Sequence, residues 1–161
     1  LGLVNDFVMS DVLKSKLDKY NLKLAGAITD TTLEALKNVI ADGIENGDGT
    51  DVVAREIGKY FDESQKYRAE RIARSETILA SNSATEEAWK QSGVVESKEW
   101  YTAKDERVCA YCDDMNGTTI ELAEKFFRKG DEFNGLSLDY RSIGEPPLHA
   151  QCRCVLLPVL K

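Results

Sequence analysis

The sequence predicts an α+β chain: a helical region over residues 1–92, followed by a small zinc-stabilised α+β unit over residues 93–161. Three observations lead there. Apolar residues recur every three to four positions through the first 92 residues, the period of an amphipathic helix. After Gly93 the pattern gives way to short aromatic and β-branched runs. The four cysteines and the single histidine of 161 residues fall in two short segments, Cys109-Ala110-Tyr111-Cys112 and His149-Ala150-Gln151-Cys152-Arg153-Cys154.

Phe7, Val8, Val12, Leu13 and Leu17 form the first helical stripe, which Asn21 to Gly26 breaks. Thr29 or Asp30 caps a second helix with Leu33, Leu36, Val39, Ile40 and Ile44 facing inward. Asn46-Gly47-Asp48-Gly49 ends it, because glycine accepts the left-handed conformation of a helix C-cap. Thr50 or Asp51 starts a third helix, with Val52, Val53, Ile57, Tyr60 and Phe61 on one side. A long fourth helix runs from about Ser64 to Gln91, carrying Tyr67, Ile72, Ile78, Leu79, Ala84, Ala88 and Trp89. On it, Glu70 and Arg74 have the spacing of an intrahelical ion pair, and the patch they form with Arg71 and Glu76 suits a solvated face.

Beyond Gly93, Glu99-Trp100-Tyr101-Thr102 reads as a strand and Lys104-Asp105-Glu106 as a turn. The Cys109–Cys112 knuckle and the Asn116-Gly117 turn follow. Ile120 to Phe127 suggests a short helix, residues 128–145 an irregular loop, and Pro146-Pro147 an extended entry to the histidine–cysteine segment. Cys154 to Leu160 closes the unit as a strand.

Two-residue spacers let both donors of a turn face one ion, and thiolate and imidazole are the donors zinc takes. Cys109, Cys112 and Cys152 supply three ligands, and the fourth is His149 or Cys154. His149 is favoured because a turn aims His149 and Cys152 at one point, which leaves Cys154 as a small core residue. The alternatives are two disulfides or unmetallated buried thiols. A closed four-ligand shell has no place for an activated water, so the ion is expected to be structural.

Composition narrows the partners. The net charge of −7 is spread evenly, with 12 basic and 16 acidic groups over residues 1–92 and 9 and 12 over residues 93–161. Neither part is a basic platform, which disfavours duplex nucleic acid as the main ligand. A zinc module using Arg107, Arg128, Arg141 and Arg153 with Trp100 and Tyr101 on nucleic acid is the second reading. An enzyme is the third. Gln151 stands where a zinc deaminase needs its glutamate, a metal-bound His149 cannot serve as base for a thiol, and Asp105, Asp113 and Asp114 are better turn formers than nuclease ligands. No apolar run approaches the ~18 residues of a membrane span, and cysteine usage fits a reducing interior. The first residue is Leu, which suggests a piece of a longer chain or a processed product.

Trp100-x-Thr102-x-x-Asp105-x-Arg107-Val108-Cys109-x-x-Cys112, then Asn116-Gly117, then Pro146-Pro147-x-His149-x-x-Cys152-Arg153-Cys154, resembles the phage Mu F-like head-morphogenesis family of minor capsid proteins. The upstream Arg71-Ile72-Ala73-Arg74-Ser75-Glu76-Thr77 is similar to the helix that precedes the tryptophan strand in that family. The resemblance runs from about residue 50 to the C-terminus. It implies a non-catalytic role in capsid assembly and DNA packaging or delivery. It further implies portal and other head proteins as partners, only weak contact with packaged DNA, and a place in the procapsid or virion interior after assembly in the host cytoplasm. It also suggests that Arg74 and Glu76 dock the long helix against the strand at Trp100, with Asp105 and Arg107 in the same docking set.

Overall fold

In the computed structural model of the chain, residues 30–61, 66–139 and 141–161 are described. The helix expected over Phe7–Leu17, its break and the cap at Thr29 lie outside them. The protein is α+β. Among the described residues the elements are α1 (Asp30–Glu45), α2 (Thr50–Gly58), α3 (Lys66–Ser92), β1 (Val95–Tyr101), α4 (Ala110–Met115), β2 (Thr119–Glu121), β3 (Glu132–Phe133), β4 (Leu136–Ser137) and β5 (Val155–Leu160). Two compact units divide between Ala84 and Thr85, so the last turns of α3 count with the second.

In the first unit the inward stripe of α1 is as its spacing predicts. Leu36, Ile40 and Ala41 are buried, with Leu33, Val39 and Ile44 packed at the margin. They meet Val53 and Ile57 of α2 and a row of small residues on α3, Ala69, Ala73, Ala80 and Ala84, with Ile72 among them. Tyr60, expected on the α2 stripe, lies past the end of that helix and is exposed. Gly47 sits at φ 71 in the turn that stops α1, and the backbone N–H of Asp48 donates to the carbonyl of Gly43 at 2.8 Å.

Gly43 has a packing reason of its own. A Cβ there would stand 2.5 Å from Cγ2 of Val53. Gly43→Ala gains about 1 kcal/mol of helix propensity but overpacks the α1–α2 contact. A net loss of about 1–2 kcal/mol is expected in a denaturant melt, and Gly43→Ala/Val53→Ala should recover part of it.

The second unit is organised by a three-stranded antiparallel sheet in the order β2-β1-β5. β1 begins at Val95, earlier than the Glu99 expected, because its first residues pair with the far end of β5 (Val95 with Leu160, Ser97 with Val159). Pro158, which lacks an N–H, is tolerated because β5 is an edge strand. The helix expected over Ile120–Phe127 is absent. Thr119–Glu121 instead pairs with Ser97–Glu99 as β2, a tertiary pairing that suits its β-branched residues. The helix of this region is α4, formed by the knuckle itself. Within the loop expected over residues 128–145, Glu132 pairs with Ser137 and Phe133 with Leu136. Asn134 and Gly135, at φ 49 and 77, join β3 to β4 as the two-residue turn that needs positive φ at both positions.

Trp100 is fully buried and meets Phe126 edge-on at 5.1 Å between ring centroids. Cys112, Met115, Leu138, Ile143, Leu148, Cys152 and Cys154 complete this core. Thus three of its eight buried members are the cysteines singled out in the sequence. Two residues from Trp100, Lys98 is also fully buried, its Nζ 3.1 Å from Oε2 of Glu86 on α3. Glu86 is 4% exposed and takes a second ion pair, with Lys90, at 2.5 Å.

Candidate metal centre

The two donor pairs are built the same way, as turns with a two-residue spacer. Cys109 is the N-cap of α4, extended at φ −81 and ψ 157, and its sulfur accepts the backbone N–H of Cys112 at 3.5 Å. A cap and the third helical residue point to the same side, so both sulfurs face one point. In the second pair the backbone N–H of Cys152 donates to the carbonyl of His149 at 3.2 Å. Gln151 sits at φ 65 within that turn. A β-branched side chain is poorly tolerated there, so Gln151→Val should lower stability by about 1–2 kcal/mol in a thermal melt, while Gln151→Asn should stay near wild type.

These turns bring the predicted donors together. Nε2 of His149 lies 3.0 Å from Sγ of Cys109 and 3.3 Å from Sγ of Cys112. Sγ of Cys112 lies 3.7 Å from Sγ of Cys152. Cys109, Cys112 and His149 form one triad of donor atoms, and Cys112, Cys152 and Cys154 form another, each within 4.8 Å internally. Cys112 belongs to both. These residues could hold a metal ion.

The Cys112–Cys152 separation is that of two sulfurs on one ion. Zn–S bonds of about 2.3 Å at a tetrahedral angle separate two sulfurs by ~3.8 Å, beside the 3.7 Å between Cys112 and Cys152. A disulfide would require about 2.0 Å, and all four cysteines are free thiols. His149 is also oriented for the task. Its Nδ1 lies 2.7 Å from the carbonyl of Ala150, to which Nδ1–H can donate, leaving the Nε2 lone pair toward the sulfurs. Thiol hydrogen bonds from Cys112 and Cys154 hold Cys152 well below the usual thiol range. The reciprocal contact with Cys152 pushes Cys112 up. The indole N–H of Trp100 is buried without a hydrogen-bond partner of normal geometry, in the same core as Cys154.

The residues expected to dock the helix fall as follows. Glu76 is buried and Arg74 half-buried in the first unit, whereas Glu70 and Arg71 are exposed, with Arg71 over the ring of Tyr67 at 5.9 Å. In the second unit Asp105 is paired with Arg153, and this guanidinium holds the Asp105 carboxyl down to about 2. Arg107 is largely exposed, 4.0 Å from Asp105. Asp113 is exposed, and the Asp114 carboxylate accepts from the side chain of Asn134. Lys98 and Glu86 are additions that no motif announced.

A family model described as Phage Mu protein F like protein matches residues 34–157, a span that includes both donor pairs. The uncharacterized protein YqbB of Bacillus subtilis (strain 168) is 27% identical over 159 residues, which cover 95% of this chain and 50% of that protein. The chain thus spans about half the length of this curated relative. No solved structure matches it.

Proposed function

Since this chain belongs to the Phage Mu protein F like protein family, we propose that it is a non-catalytic minor head protein of a phage, acting in capsid assembly and in DNA packaging or delivery. The family match over residues 34–157 is the observation that carries this proposal. Its partners are other head proteins, the portal first among them, with only weak contact to packaged DNA. The net charge of −7 suits association with a basic protein surface, where complementary charge sets specificity and encounter rate more than affinity. No helix among the described residues is long and apolar enough to cross a membrane, and the site of action is the procapsid and then the virion interior. Phage assembled without this protein should show a head or DNA-delivery defect, and the tagged protein should co-purify with procapsids. Full infectivity in its absence would overturn the proposal.

Within that role the metal centre holds one structural zinc through Cys109, Cys112, Cys152 and His149, with Cys154 as the alternative to His149. Support comes from the donor chemistry, the 3.7 Å sulfur separation and the ring orientation of His149. Bound there, zinc would cross-link the segment after β1 to the segment before β5. Elemental analysis with a thiol count should give one zinc per chain. His149→Ala should then lose the metal and Cys154→Ser keep it. The reverse outcome would move the fourth ligand to Cys154.

A further inference from the structure

The metal-centre segments carry a second constellation that ligand chemistry does not use. Asp105 precedes the first donor pair, and Arg153 stands between Cys152 and Cys154. Nη1 of Arg153 meets Oδ2 of Asp105 at 2.5 Å, and Nη2 meets Oδ1 at 2.5 Å. This is the two-pronged arrangement of a guanidinium on a carboxylate, which fixes orientation as well as distance.

Each end of the pair is tied to a donor turn. Oδ1 of Asp105 also accepts the backbone N–H of Arg107 at 3.0 Å, and the carbonyl of Asp105 accepts the N–H of Val108 at 3.0 Å. That local turn delivers the chain directly to Cys109. At the other end Arg153 is bonded to a cysteine on either side, so a shift of its backbone moves both sulfurs. β1 and β5 fix the same two segments from behind, through the pairing of Tyr101 with Val155.

We infer that Asp105 and Arg153 are positioning residues of the metal centre, clamping the two donor segments at the separation the ion requires. This rests on the zinc proposal above. The pair is partly exposed, with Arg153 and Asp105 side chains at 28% and 36%. A pair so placed contributes little to global stability. Its effect therefore falls on the ion, because a clamp that pre-orders ligands lowers the ordering cost of binding.

The test is zinc affinity of the 161-residue chain, measured by competition with a chromogenic chelator, alongside the far-UV circular dichroism of the zinc-saturated chain. Arg153→Ala and Asp105→Asn should each weaken zinc about ten- to hundredfold while leaving the zinc-saturated spectrum as in the wild type. The double variant should be no weaker than either single, since one interaction is lost in all three. Arg153→Lys, which keeps the charge but not the fork, should stay weakened. Arg107→Ala should bind as the wild type does. If Arg153→Ala does not fold, the near-isosteric Asp105→Asn carries the comparison. Wild-type affinity in Asp105→Asn, or additive losses in the double variant, would overturn the clamp and leave the zinc proposal standing. A wild-type chain that takes up no zinc would overturn both.

Discussion

Chelating the zinc proposed for this centre is expected to abolish the cooperative melt of the second unit, not merely to lower its midpoint. The expectation follows from where the sulfurs sit. Cys112, Cys152 and Cys154 lie inside the core formed with Trp100, Met115, Leu138, Ile143 and Leu148, and the sheet that backs it has only three strands. A unit this small buries little apolar surface. Structural zinc contributes an apparent ~10–16 kcal/mol in small zinc-folded peptides, as much as the whole stability of an ordinary domain at about 5–15 kcal/mol. Trp100 is the natural reporter, being fully buried beside this cluster. Its indole resonance should lose its dispersed position when chelator is added and regain it with zinc. Cys112→Ser should behave like the chelated wild type. An indole resonance and melting temperature indifferent to chelator would remove the ion from the fold.

The second large effect is expected from a residue far from any cysteine. Glu86→Ala should destabilise the second unit by about 3–5 kcal/mol, because it leaves the Lys98 ammonium buried without its partner. Lys98 is fully buried and Glu86 nearly so, which separates this pair from the exposed Lys59–Glu56 contact of α2's end, worth under about 1 kcal/mol. Replacing both members by apolar residues, as in Glu86→Leu/Lys98→Met, should cost far less than Glu86→Ala alone. The pair also has a pH signature. Burial pulls the Lys98 ammonium below its ordinary range despite the neighbouring Glu86 carboxylate. The unfolded chain therefore binds more protons than the folded one between that lowered value and about 10.5, and stability should rise with pH through this window. Lys98→Met should flatten that slope in denaturant melts run across the alkaline range. A slope unchanged by the substitution would show that Lys98 is not its source.

Much of this was legible in the residues and some was not, for physical reasons. The α1 stripe was readable because Leu36 and Ile40 keep a helical period toward one continuous core, shared with α2 and α3. The clustering of the four cysteines with His149 was readable because thiols and an imidazole at two-residue spacing carry their chemistry in their identity. The Ile120–Phe127 helix failed because its first residues complete β1, a pairing that no local pattern encodes. The β3–β4 hairpin did have a local signal, Asn134-Gly135, hidden in a stretch otherwise too polar and glycine-rich to look like strand. Lys98 had none. A lysine in an alternating run looks like a solvent-facing position, and only the arrival of Glu86 from the end of α3 makes its burial tolerable.

The sheet order has a consequence for synthesis. The central strand β1 (Val95–Tyr101) finds its long partner only in β5 (Val155–Leu160), whereas α1 and α2 meet across a short turn. At ~5–20 residues per second on a ribosome, several seconds separate the emergence of Tyr101 from that of Val155. Throughout that interval the apolar side of β1 and the first cysteine pair are exposed together, with neither the strand nor the donors that complete them. A nascent chain arrested before His149 should therefore carry a folded helical segment followed by a protease-sensitive tail that binds zinc weakly or not at all. Capture of a metal ion by these donors and closure of the sheet then become one event, which waits for residues 149–160.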